Sequence, residues 1–118
     1  MQDSWRPGAW PILDYDTSRE AVIEPTRVVE RAELPECCVI CFFADQITHL
    51  AERGHLHQVT EQRSESGSHP VYVLEHNGGQ VALFHPGVGA PIAVGLLEEV
   101  IARGCTRFVA CGGAGVLD

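Results

Sequence analysis

The stretch VALFHPGVGAPIAVGLLEEVIARGCTRFVAC, residues 81 to 111, decides the fold class. Val81 to His85 is a short apolar run of strand character. Pro91 suits the first position of a helix, where a missing N–H costs nothing. From there Ile92, Leu96 and Val100 fall on one ridge and Ala93, Leu97 and Ile101 on the next, which predicts a wide apolar stripe. Gly95, Glu98, Glu99 and Arg103 fall on the other side, with Glu99 and Arg103 one turn apart as an ion pair. Gly104 ends the helix, and Arg107 to Cys111 makes the next strand. Strand, crossover helix and strand imply a parallel βαβ unit, so the class is α/β.

Upstream, Val71 to Glu75 is a further strand, separated from Val81 by Asn77-Gly78-Gly79. Asn-Gly between apolar runs predicts a hairpin, because both residues tolerate positive φ. Ser64 to Ser68 has the composition of a loop, and Gln58 to Glu61 that of a short strand. Cys37 to Phe43, β-branched and aromatic, predicts a strand buried on both faces. Asp45 to Arg53 predicts a helix with Ile47 and Leu50 on one stripe and Gly54 just past its end. Residues 1 to 36 form an irregular amino-terminal arm, with Trp5, Trp10, Pro7, Pro11, Pro25 and Pro35. Within it, Thr17-x-x-Glu20 has the form of a capping box, opening a helix that Pro25 would stop. Residues 37 to 118 then make a mixed sheet with too few helices to cover both faces. The expectation is a partial domain, cut short after the glycine loop at 112 to 115.

Eight arginines and no lysine stand against sixteen acidic residues in 118, a net charge of −8. That balance argues against nucleic acid as a partner, since such binding rests on neutralising phosphates. The longest apolar run, Cys37 to Ala44, is far short of the roughly 20 residues of a membrane helix. With no signal-peptide pattern at the start, a cytoplasmic location is expected. The five cysteines are an odd number set in apolar runs. They are expected to be reduced and buried rather than a disulfide scaffold. Cys38 and Cys41 would point to opposite faces of a strand and so could not share a zinc ion. His55 and His57 have no third ligand at a diagnostic spacing, so no metal site is expected.

Two glycine loops follow strands: Gly87-Val88-Gly89 and Gly112-Gly113-Ala114-Gly115. Ligands of open α/β sheets bind at the carboxyl ends of strands, and glycine there lets the backbone approach closely. Neither loop has the spacing of a dinucleotide or Walker motif.

His85-Pro86-Gly87-Val88-Gly89-Ala90-Pro91, the helix with Leu97-Glu98-Glu99, Gly104-Cys105-Thr106-Arg107-Phe108, and Gly112-x-x-Gly115 occur in that order. Together they resemble the nucleoside phosphorylase superfamily, above all its uridine and purine nucleoside phosphorylase branch. The resemblance implies a three-layer α/β fold and cleavage of the N-glycosidic bond of a nucleoside, with phosphate as co-substrate and no other cofactor. It implies that Gly112, Gly113, Ala114 and Gly115 line the phosphate and ribose pocket, that Gly87 and Gly89 shape the loop beneath, and that the protein is a homo-oligomer. The sequence departs from the pattern at the phosphate. A clamping arginine would fall on Ala110 and a hydroxyl residue on Gly113. Phe42 to Ile47 lacks the expected G-x-x-x-R, and near Gly67, where a neighbour's arginine would fall, only Arg63 is close. Hydrolytic nucleosidases also lack the arginine that falls on Ala110, so hydrolysis is the alternative, and a non-catalytic binding or assembly role a third. The superfamily's ribose-binding glutamates and leaving-group acid would lie after Asp118, so this chain is expected to be inactive alone.

Overall fold

The computed structural model describes residues 17 to 117, so Trp5, Trp10, Pro7 and Pro11 lie outside the described residues. Eight elements follow in chain order: α1 (Pro25–Val28), β1 (Cys37–Cys41), α2 (Ala44–Glu52), β2 (Leu56–Ser64), β3 (Gly67–His76), β4 (Gly79–Phe84), α3 (Ala90–Ala102) and β5 (Arg107–Cys111). The five strands form one mixed sheet in the order β2-β3-β4-β1-β5. β1 lies between β4 and β5 and runs parallel to both, while β2, β3 and β4 pair antiparallel. The crossover from β4 through α3 to β5 therefore passes over β1, and the α/β class holds.

Helices pack on both faces. On one, Leu96 and Val100 of α3 meet Cys38, Val71, Ala82, Phe84 and Cys105. On the other, Ile47 of α2 meets Cys41, Leu56 and Leu83. The alternation of a strand accounts for both sets: Cys38 and Cys41 contribute to opposite cores, as their spacing predicts. The result is a three-layer α/β/α unit.

Several boundaries differ from expectation. β1 stops at Cys41, and Phe42 and Phe43 are nearly half exposed beyond it. The polar stretch after Gly54 is no short strand and loop. It is the first arm of a long hairpin, with Ser64 paired to Gly67 across a two-residue turn. Alternation hides in that arm because most of its side chains face solvent. The second hairpin turn is Asn77-Gly78 alone, at φ of 49° and 77°, with Gly79 already paired to His76. Pro25 opens a helix rather than stopping one, its ring filling the first turn of α1. No helix starts at Thr17, and residues 17 to 24 are irregular.

In α3 only the ridge of Leu96 and Val100 is fully buried; Ile101 is 48% exposed. Arg103, expected on the polar side, is largely buried, with its side chain 13% exposed beside Glu99. Its Nη1 donates to the Glu30 carbonyl at 3.2 Å, tying the end of α3 to the segment after α1.

Candidate functional site

The parallel strands set the geometry of the site. Ile40 pairs with Phe84 and Cys41 with Cys111, so β4, β1 and β5 end at one level. Their chains leave the sheet side by side as His85, Phe42 and Gly112. Both glycine loops of the sequence thus lie at the same edge, flanking Phe42.

Each neighbour of Phe42 is fitted to it. Its ring meets the His85 ring edge-on, with centroids 6.5 Å apart and planes at 65°. On the other side, a Cβ added at Gly112 would come within 3.4 Å of Phe42 Cδ2. A hydrogen bond of 2.9 Å from Phe42 N–H to the Cys111 carbonyl carries the ladder one residue past the strands.

His85 has its tautomer set by the loop. The Gly87 backbone N–H donates to His85 Nδ1 at 3.0 Å, so the neutral ring carries its proton on Nε2. Gly87 reaches that position at φ of 76°, and a Cβ there would lie 3.1 Å from Ile92. The turn is therefore closed to other residues. Beyond it, Gly89 caps α3 at φ of 103° with no side-chain hydrogen bond. The first amides of the helix are left to any acceptor that approaches.

A cavity of about 230 Å³ opens beside this edge, under the start of α2. His85 and Tyr72 line it with Ser68, His69, Ala44 and Ile47. His69 Nε2 lies 3.1 Å from Ser64 Oγ and 3.2 Å from Ser66 Oγ, which ties the far end of the first hairpin to the rim. No arginine among the described residues lines the cavity. Arg63 is held away from it by Glu61, whose carboxylate accepts from Arg63 Nε and from Ser68 Oγ, each at 2.6 Å. Those bonds, the Ser68 hydroxyl foremost, hold the Glu61 carboxyl below its usual range.

The predicted glycines fall into two groups. Gly87 and Gly89 sit where they shape the loop between β4 and α3. Gly112, Gly113, Ala114 and Gly115 lie exposed beyond β5, with open space around Gly113 and Gly115. Sequence reasoning missed Phe42, Tyr72 and His69 and gave His85 no role. For His85 a signal was present, since it directly follows an apolar run and precedes Pro86-Gly87. Tyr72 and His69 reach the cavity only through the pairing of β3 with β4, which no local pattern records. His55 and His57 are exposed, and among the described residues no three His, Cys, Asp or Glu side chains gather as a metal site would require.

No family model matches the chain, and no curated protein matches it by sequence. Among solved structures it is similar to uridine phosphorylase from Vibrio fischeri ES114, with a TM-score of 0.59 and 21% identity over 78% of this chain and 37% of that one. The same protein complexed with 6-hydroxy-1-naphthoic acid aligns with a TM-score of 0.52 and 18% identity, over 66% of this chain and 31% of that one. The likeness is one of fold, and the chain spans 37% of the length of the uridine phosphorylase it matches.

Proposed function

We propose that this chain supplies the nucleoside-binding edge of a nucleoside phosphorylase-like protein, which cleaves the N-glycosidic bond of a purine or pyrimidine nucleoside in cytoplasmic salvage. The observation that carries the reading is the common level at which β4, β1 and β5 end, with a glycine loop on either side of Phe42. Flat apolar rings stack on bases and sugars, and Phe42 offers such a face at 45% exposure. His85 Nε2–H is a fixed donor for a ligand oxygen. Gly112 to Gly115 would present backbone N–H groups to ribose and phosphate, while Gly87 and Gly89 hold the floor. Phosphate is the proposed co-substrate, with the uncapped start of α3 as its nearest positive pole.

Hydrolysis is the second reading, favoured by one observation. Ala110 stands where the resemblance expects an arginine, and Arg63 is already paired to Glu61. A dianion without guanidinium partners binds poorly, whereas water needs none.

Ligand-observed NMR with uridine and inosine tests binding, and chromatography of released base with and without phosphate tests chemistry. The 118-residue chain should bind nucleoside and release base no faster than a blank. Gly113→Val should weaken binding about tenfold or more without unfolding the chain, because the space at Gly113 is open. Absence of nucleoside binding overturns the proposal. Release of base that does not depend on phosphate selects hydrolysis.

A further inference from the structure

The five cysteines are not alike once the strands are paired. Cys38 and Cys105 are closed to solvent, at 1% and 0% exposure, so no reagent in solution reaches either. Cys37 lies opposite Arg107, so its neighbour across the ladder is a guanidinium rather than a thiol. Cys41 and Cys111 combine what the others lack: they are opposite one another, and Cys111 is open to solvent.

The parallel ladder makes this pair. Cys41 and Cys111 are the last residues of β1 and β5 and are register partners. Neighbouring strands run about 4.7–4.9 Å apart, inside the roughly 4.4–6.8 Å that a disulfide spans between Cα atoms. Both side chains leave the same face of the sheet. Cys41 packs under α2 with Ile47, whereas Phe108 of β5 packs toward α3, so Cys111, three residues on, points to the α2 side. The 2.9 Å bond from Phe42 N–H to the Cys111 carbonyl holds the two strand ends together at this level. Cys41 Sγ makes one weak bond, donating to the Phe43 carbonyl at 3.8 Å, so little is lost when its side chain turns toward Cys111.

Access differs between the two thiols. Cys111 ends the edge strand, and Phe42, Ala110 and Gly112 around it are exposed. Cys41 is 8% exposed, but it needs to reach only its neighbour. A small disulfide therefore meets Cys111 first, and Cys41 is the thiol placed to resolve the product.

We propose that Cys111 and Cys41 form a thiol–disulfide exchange site, with small disulfides of the glutathione class as the oxidant. The Cys111 thiolate attacks one sulfur of that disulfide and its S–S bond breaks. One thiol leaves, taking up the proton that Cys111 gave to solvent, and a mixed disulfide remains on Cys111. Cys41 then gives its proton to solvent, attacks the Cys111 sulfur and expels the second thiol, which is protonated in turn. The protein pair has lost two hydrogen atoms, and the small disulfide has become two thiols. Phe42 and Gly112 directly follow the joined residues, so the bond ties together the two chains that leave the sheet there. An effect on nucleoside binding rests on the reading above; formation of the bond does not.

The test is to incubate the reduced full chain with glutathione disulfide without denaturant, block the remaining thiols with N-ethylmaleimide, and weigh it intact and after trypsin. The cross-link should appear within a chain of monomer mass. Trypsin cuts after Arg31, Arg53 and Arg107, so peptide 32–53 should come off joined to peptide 108–118, with fragmentation placing the bond on Cys41. Dithiothreitol should separate them. In Cys41→Ser the reaction stops at the mixed disulfide, so glutathione held on peptide 108–118 should rise about tenfold or more over the wild type. Cys37→Ser, at a partly exposed position, should leave the cross-link unchanged. A wild-type chain that stays reduced, that keeps glutathione on Cys111 without cross-linking, or that joins Cys111 to Cys37, Cys38 or a second chain would overturn the proposal. That map decides the matter even if Cys41→Ser does not fold.

Discussion

Cys38 and Cys105 meet in the core between the sheet and α3, each at most 1% exposed. The Cys105 thiol donates to the Pro35 carbonyl at 3.1 Å. The hydrogen bond between the two sulfurs, and then burial, push the Cys38 thiol far above its ordinary range. The same contact lowers the Cys105 thiol against the opposing effect of burial, so the two shifts oppose each other in alkaline solution. A neutral thiol is neither nucleophile nor metal ligand, so Cys38 serves packing. Cys41 is buried under α2, and only Cys37 and Cys111 are partly open to solvent. Without denaturant, an alkylating reagent should therefore titrate no more than two of the five thiols, a count that mass spectrometry checks.

At the scale of elements, α3 carries most of the packing on its face of the sheet, but through one ridge. Leu96 is 4% exposed and Ile101 is 48% exposed. Leu96→Ala should cost about 2–5 kcal/mol in denaturant unfolding, and Ile101→Ala less than about 1 kcal/mol. Equal losses would mean that α3 is rotated from the position described. The pair also marks the limit of what the residues disclose on their own. Helical periodicity from Ile92 to Ile101 places two apolar ridges side by side, and nothing local says that the sheet reaches only one of them. The same holds for β2, whose polar run conceals a nine-residue strand because one face is solvent and a bulge breaks the alternation. Asn77-Gly78 needed no such help, since the turn's two positive φ angles are a demand of local geometry. The glycine loops were legible for the same reason. The rings that stand between and beside them, Phe42 and Tyr72, come together only through the parallel register of β1 with β4 and β5 and the pairing of β3, which is tertiary information.

At the scale of the whole molecule, the sheet is unevenly protected. β2 closes one side with a long polar arm, but β5 closes the other with five residues paired only to β1. Phe108 of β5 packs toward α3, whereas Val109 on the opposite face is 61% exposed. Phe42 and Phe43 beside it, and Val116 and Leu117 beyond it, add further exposed apolar surface. A strand edge with unpaired N–H and C=O groups beside such a face is a template for another chain, and proteins that keep an edge free place lysine or proline on it. Here neither residue occurs between Arg107 and Leu117. Sedimentation of the purified chain should therefore find a dimer or larger species at micromolar concentration. Val109→Lys should move it toward monomer, since a charge on the edge opposes strand addition while an exposed position tolerates it in the fold. A wild-type chain that stays monomeric would show that a five-residue strand is too short an edge to pair. An assembly untouched by Val109→Lys would place the contact elsewhere, with the apolar residues of α1 and the exposed Ile101 as the next surface to change.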